Sequence, residues 1–368
     1  MKKVSILMSL LVSGFFLFPL NQLLAVNQPQ PIQKYEPIRG IYVTASNTKE
    51  PQFSRLLNLV KNTDLNAMVI DIKDDHGHLT FLPPKSSPYH SVSHPYIKDP
   101  SSLMSTLNAN QVYPIARIVV FKDNVLPKTK PNLSFKTNKG LWKNNKGDSF
   151  TNPYLKEVWD HNVGIAIEAA KIGFKEIQFD YVRFPEKFET FGNKLTYSMG
   201  NFQATKDGRE RVNAVTEFVK YASEKLKPYN VKVSVDTFGN ATVIPEAKGI
   251  GQNFSRIAQH VDVISAMIYP SHWTTIFGIQ KPDLQPYLLV KEYAKVENNR
   301  LQKLADPPTS RPWLQDFSAT WLGAGNYKVY GKKEIEDQIR ALHSQGINEF
   351  LLWNAGNKYT ANVDYTPY

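Results

Sequence analysis

The chain has 368 residues, 42% of them hydrophobic, no cysteine, and 44 Lys and Arg against 33 Asp and Glu, giving a formal net charge of +11. Without cysteine there is no disulfide, thiolate nucleophile, iron–sulfur cluster or cysteine–zinc site. The length and apolar content suffice for one large domain with its own hydrophobic core.

The first segment reads as an export signal. Lys2 and Lys3 precede an apolar run from Val4 to Phe18, followed by Pro19 and a softer stretch to Ala25. That is a basic region, a short hydrophobic core and a small residue at the cut. The run is short for a membrane span of about 20 residues, so a signal over residues 1–26 is favoured over an uncleaved anchor, although Leu23 sits where a small residue is usual. The expected destination is periplasmic or extracellular. Loss of Lys2 and Lys3 leaves 11 − 2 = +9, with lysines concentrated between Lys122 and Lys146. No nucleic-acid motif accompanies them, so the excess reads as attraction to an anionic cell envelope or as plain solubility.

Residues 27–38 are rich in Pro and Gln and read as a linker. The periodic region, 39–368, then alternates short apolar runs with amphipathic stretches. Strands are expected at Gly40–Val43, Ala67–Ile72, Val112–Phe121, Glu176–Val182, Val231–Val235, Val261–Tyr269, Pro312–Phe317 and Phe350–Asn354. Helices are expected around Phe53–Val60 and over Ser101–Asn108, Tyr154–Ile172, Arg211–Leu226, Tyr287–Leu304 and Lys332–Ser344. A long polar stretch, Lys122 to Asn152, separates the third strand from its helix. Short apolar strands spaced by helices argue a parallel sheet covered by helices, and eight such units fit a single (β/α)8 barrel. An open doubly wound sheet is the competing arrangement. It would carry a Gly-rich phosphate turn after the first strand, where Thr44-Ala45-Ser46-Asn47 stands instead.

In a barrel the chemistry sits at the C-terminal strand ends. Those ends supply Asp71 and Lys73, Arg117, Asp180 and Arg183, Asp236, Tyr269 with His272 and Trp273, Gln315 and Asp316, and Trp353 with Asn354. Acids and arginines among aromatic rings describe a polar mouth suited to sugars, whose faces stack on rings while their hydroxyls meet charged groups. Period-two alternation separates Ile177 and Phe179 from Gln178 and Asp180, and Val231, Val233 and Val235 from Lys232, Ser234 and Asp236. Asp180 and Asp236 thus fall on the lumen side of neighbouring strands. Strand seven gives no such choice between Gln315 and Asp316, because Trp313 and Leu314 are both bulky.

Glycoside hydrolysis needs two carboxylates, one a proton donor and the other a nucleophile or a base for water. Asp180 is the nucleophile candidate, with Arg183 and Lys73 as cations to hold it ionised; Asp236 is the acid/base candidate, desolvated by Val235 and Phe238. The alternative is an Asp180–Arg183 salt bridge that only closes the barrel mouth. The run Asp74-Asp75-His76-Gly77-His78 matches no standard metal-ligand spacing and reads as a polar turn. No metal or cofactor is assigned. Trp142, Trp273, Trp321 and Trp353 are either sugar platforms or core tryptophans.

Several motifs in order carry a resemblance: Arg39-Gly40-Ile41-Tyr42-Val43, Val69-Ile70-Asp71-Ile72-Lys73-Asp74, and Ala116-Arg117-Ile118-Val119-Val120-Phe121-Lys122-Asp123. They continue with Asn152-Pro153-Tyr154, the Asp180 strand, Asp236-Thr237-Phe238-Gly239, Met267-Ile268-Tyr269-Pro270-Ser271-His272-Trp273 and Arg311-Pro312-Trp313-Leu314-Gln315-Asp316-Phe317. Over nearly the whole periodic region the chain resembles the bacterial glycoside-hydrolase-like family DUF4015. The resemblance implies a TIM barrel acting on carbohydrate. By analogy with other barrel glycosidases it implies a working acid after strand four, another after strand five and a third carboxylate, Asp316, after strand seven.

The expected activity is therefore cleavage of an envelope or extracellular polysaccharide by two carboxylates. Arg183, Tyr269, His272 and Gln315 would hold the sugar. Two other classes compete: a sugar-binding barrel without catalysis, and a metal-dependent hydrolase or deacetylase using Asp71, Asp74, His76 or His78.

Overall fold

The computed structural model describes residues 37–367, so the expected signal and most of the expected linker lie outside the described residues. Eight parallel strands form the barrel: β1 Arg39–Val43, β2 Ala67–Lys73, β3 Tyr113–Val119, β4 Glu176–Asp180, β5 Lys232–Phe238, β6 Val263–Met267, β7 Trp313–Gln315 and β8 Phe350–Trp353. β1 pairs in parallel with both β2 and β8, which closes the sheet on itself. Seven helices alternate with them: α1 Gln52–Lys61, α2 Pro100–Ala109, α3 Lys156–Ile172, α4 Arg209–Leu226, α5 Phe254–Ala258, α6 Pro286–Leu301 and α7 Lys332–His343. No helix among the described residues is long and apolar enough to cross a membrane.

All eight expected strands and all six expected helices are present, with ends shifted by a few residues. α5 and the short helix Gly239–Val243 before it fall where no helix was expected. The polar stretch after β3 has structure of its own, a hairpin of Lys136–Thr137 with Gly140–Leu141 and bridges from Lys122 to Phe150 and Ser134 to Thr151. After β2 the chain doubles back through Leu79–Phe81, which pairs antiparallel with β2 at Lys73.

The strands are apolar on one face because that face meets the helices. Ile177, Phe179, Val233 and Val235 belong to the main core with Phe218 of α4 and Val163 of α3. The inward positions Val69, Ile115, Gln178, Ser234, Ser265 and Leu351 are fully buried and fill the lumen. At the N-terminal strand ends an ion cluster seals the barrel. Arg311 is fully buried and donates from Nη1 to Glu176 at 2.8 Å and from Nε to Glu349 at 2.7 Å.

A buried acid on α6 lies away from the lumen. Glu297 of α6 is fully buried and accepts from Ser310 Oγ at 2.5 Å, and burial pushes its pKa up to about 7 from the ordinary 4.5. The unfolded chain therefore releases this proton at lower pH than the folded chain, and stability falls as pH rises through that window, by a few kcal/mol at about pH 8. Glu297→Gln keeps the acceptor for Ser310. It should raise the melting temperature at about pH 8 and leave it unchanged at about pH 3, where glutamate is neutral in both states. Equal shifts at both pH values would contradict this.

Candidate active site

A cleft of about 510 Å³ opens at the C-terminal ends of the strands. Register explains what lies in it. Phe179 of β4 pairs with Val235 of β5, so the next residues, Asp180 and Asp236, stand side by side on the inward face. Both line the cleft, and both are nearly buried, at 5% and 2% exposure.

Their surroundings differ. Asp180 Oδ2 accepts from Arg117 Nη2 at 2.6 Å and Nε at 3.0 Å, while its Oδ1 accepts from the Tyr181 N–H at 2.6 Å. Tyr181 makes that last bond from a left-handed backbone, φ 51°, a conformation costing a non-glycine residue about 1–3 kcal/mol. It follows the end of β4 and turns its own amide onto the carboxylate. Asp236 meets no cation directly; Trp313 Nε1 donates to its Oδ1 at 2.8 Å. Burial first, and then the negative charge of Asp180, hold its carboxyl well above the usual aspartate range. The pair is therefore one carboxyl bound by a guanidinium and one pushed toward its protonated form.

Arg117 organises the floor. Besides Asp180 it donates from Nη1 to Asp71 at 2.7 Å and to Asp75 at 3.1 Å, and its guanidinium packs 5.5 Å from the ring centres of Tyr42 and Trp353. Those two rings stack, with centres 4.1 Å apart and planes 19° from parallel. Asp71, which also accepts from Tyr42 at 2.6 Å, is raised to about 6 by burial against the pull of Arg117. Burial acts upward on Asp75 too, but Arg117 and Lys122 overcome it and bring its pKa down to about 2.

Of the expected site residues, Arg117, Asp180, Arg183, Asp236, Tyr269, His272, Trp273 and Trp353 line the cleft. Asp71 sits just beneath it, reached through Arg117. Lys73 does not reach the cleft. A bulge in β2 pairs Asp71 with Arg117 but Lys73 with Ile118, turning Lys73 outward. There it is fully buried, 2.7 Å from Asp123 and 3.0 Å from Asn162 Oδ1 on α3. The cation on Asp180 is thus Arg117, in place of the expected Arg183 and Lys73. Arg183 instead bonds Glu186 at 3.3 Å and packs 4.5 Å from the Phe238 ring and 4.8 Å from that of Tyr181.

Strand seven resolves as Trp313 inward and Leu314 in the outer core. Gln315 is spent on structure, accepting from the Ser271 N–H and donating to Asp283. Asp316 accepts from Thr360 N–H and Oγ1, and Asn354 donates to the Asp316 and Lys358 carbonyls, so these three tie loops together outside the cleft wall. Asp74 likewise accepts from the His76 and His78 amides, making the turn, and no group of three or more metal-ligating side chains able to hold an ion occurs among the described residues.

Phe238 lines the cleft beside Asp236 as expected, and Asp75, Lys146, Tyr181, Glu186 and Trp313 line it unforeseen. Tyr181 and Glu186 follow an expected strand end closely enough that a wider window would have included them. Lys146 comes from the long loop and carries no sequence signal. Gly239 is the one residue its position admits, since a Cβ there would lie 2.5 Å from Trp273 Cζ2 and 2.7 Å from the Met267 carbonyl.

The family model DUF4015, "Putative glycosyl hydrolase domain", matches residues 40–359. The chain belongs to this family. DUF4015 here adopts a barrel similar to the PgaB (BpsB) glycoside hydrolase domain from Bordetella bronchiseptica, with a TM-score of 0.61 and 15% identity over 87% of this chain and 95% of that one. A β-galactosidase from the haloarchaeon Halorubrum lacusprofundi aligns with a TM-score of 0.59 and 10% identity over 86% of this chain and 52% of that chain. The spore cortex-lytic enzyme SleL of Bacillus megaterium aligns at 0.50 and 12%, over 87% and 71%. At such identities these likenesses speak for the fold. A search of the curated proteins finds no match.

Proposed function

We propose that this protein is an exported glycoside hydrolase that cleaves an envelope or extracellular polysaccharide. The observation that carries the reading is the unlike pair, Asp180 and Asp236, side by side in one cleft. Asp236, protonated, gives its proton to the glycosidic oxygen as the bond breaks. Asp180 attacks the anomeric carbon or stabilises its positive charge, and Asp236, now a base, activates the water that completes hydrolysis. Arg183, Tyr269, His272, Trp273 and Trp353 line the space in which the sugar would lie. The signal-like N-terminus supports export, and the basic balance supports contact with anionic envelope polymers.

The reading is tested by incubating the protein with polysaccharides and counting new reducing ends. Binding with no new ends, matched by the Asp180→Asn variant, would favour a sugar-binding barrel. Neighbouring strands stand about 4.8 Å apart, close to the carboxyl separation of about 5–5.5 Å typical of retaining enzymes. The first product released should therefore keep its anomeric configuration, as read by proton NMR. Initial inversion would remove the covalent step and leave Asp180 as a base.

A further inference from the structure

We propose that Trp321 is an outer sugar platform, and that the substrate is a linear saccharide chain running from the cleft across its ring. This rests on the glycoside hydrolase reading and extends it to substrate length. Trp321 is 64% exposed, whereas Trp159 and Trp313 are buried and the remaining tryptophans are half-buried. Its ring lies on Phe317, centres 5.8 Å apart and planes 25° from parallel, and meets His272 near-perpendicular with ring centres 6.4 Å apart. Phe317 and His272 each meet Tyr269, at 6.0 and 5.2 Å. Tyr269 and His272 line the cleft, and Trp321 lies outside it. A continuous run of rings thus leads from the carboxylates to the rim and ends on an indole with an open face.

An open indole face is costly in water, and this one continues the aromatic run that starts in the cleft. The ring is also held in place. Thr320–Leu322 form a single 3-10 turn, Tyr330 N–H donates to Ser318 Oγ at 2.9 Å across the loop, and Lys281 Nζ bonds the Gly325 carbonyl at 2.8 Å. Binding there forfeits little conformational freedom. Continuity with the cleft selects the occupant. A pyranose unit presents a flat C–H face to one ring, which a single indole can satisfy, whereas a protein partner needs a far larger patch.

The test uses three soluble polymers, each in short and long fractions: glycan strands from bacterial cell wall, a linear β-glucan and partly deacetylated chitin. On the polymer cleaved, Trp321→Ala should raise KM about tenfold for long chains. It should leave kcat and all parameters for short chains unchanged, with Trp321→Phe restoring most of the loss. Affinity electrophoresis in the Asp180→Asn background separates binding from turnover. Weaker retardation by long chains when Trp321→Ala is added supports the platform even if the wild-type protein proves inactive. Equal retardation and equal KM with and without Trp321 would overturn it, as would no retardation by any of the three polymers.

Discussion

Replacing Asp180 with asparagine should lower turnover at least ~10³-fold while the protein remains folded. Three N–H groups, two from Arg117 and one from Tyr181, converge on its two oxygens. A carboxylate accepts all three. Asparagine offers a single carbonyl oxygen, so its amide must face a donor with a donor, in addition to losing the nucleophile. The structural cost is about 1–3 kcal/mol for the mismatch, moderated because Arg117 keeps Asp71 and Asp75. Circular dichroism and the melting temperature check folding, and reducing-end release checks turnover. Unchanged turnover would end the assignment of Asp180 as nucleophile or stabiliser. A second consequence follows at Asp236. Removing the neighbouring charge takes away one cause of its raised pKa, so its titration, followed by carbon NMR, should move to lower pH in the variant.

The second large effect belongs to Asp236. Asp236→Asn still accepts the Trp313 indole N–H but carries no acidic proton, and loss of a general acid costs about 10²–10⁴-fold. The loss should depend on the leaving group. Natural linkages, whose oxygen must be protonated, should show the whole of it, while 2,4-dinitrophenyl glycosides, which depart unaided, should retain a bond-breaking step close to wild type. As the proposed general acid, Asp236 would act in its protonated form. Activity should therefore decline on the alkaline side as Asp236 ionises, and that limb should flatten for the dinitrophenyl substrate. An equal loss for both leaving groups would move the acid role elsewhere in the cleft.

How far the sequence carried these residues depends on where alternation holds. It is unbroken along β4 and β5, so Asp180 and Asp236 could be placed on the lumen side from the apolar pattern alone. β2 has a bulge after Asp71, and period-two counting carries Lys73 to the wrong face because the extra residue leaves no mark on composition. The partner of Asp180 was also out of reach. Arg183 is three positions away in the chain, but the left-handed turn at Tyr181 carries it past, whereas Arg117 arrives from the next strand through the register. The eight strands themselves were legible because each carries a short apolar face or run set between helical stretches, continuous in β2 and β8 and alternating in β4 and β5. The loops were less so, since Gln315, Asp316 and Asn354 look like ligands in sequence and act as ties between turns.

The Arg311 cluster and the packed layers above it stop up the narrow end of the barrel. Traffic therefore has one doorway. If the cleft cleaves a polysaccharide as proposed, product leaves by the same C-terminal face that substrate enters, and accumulated product should slow turnover by competing for it.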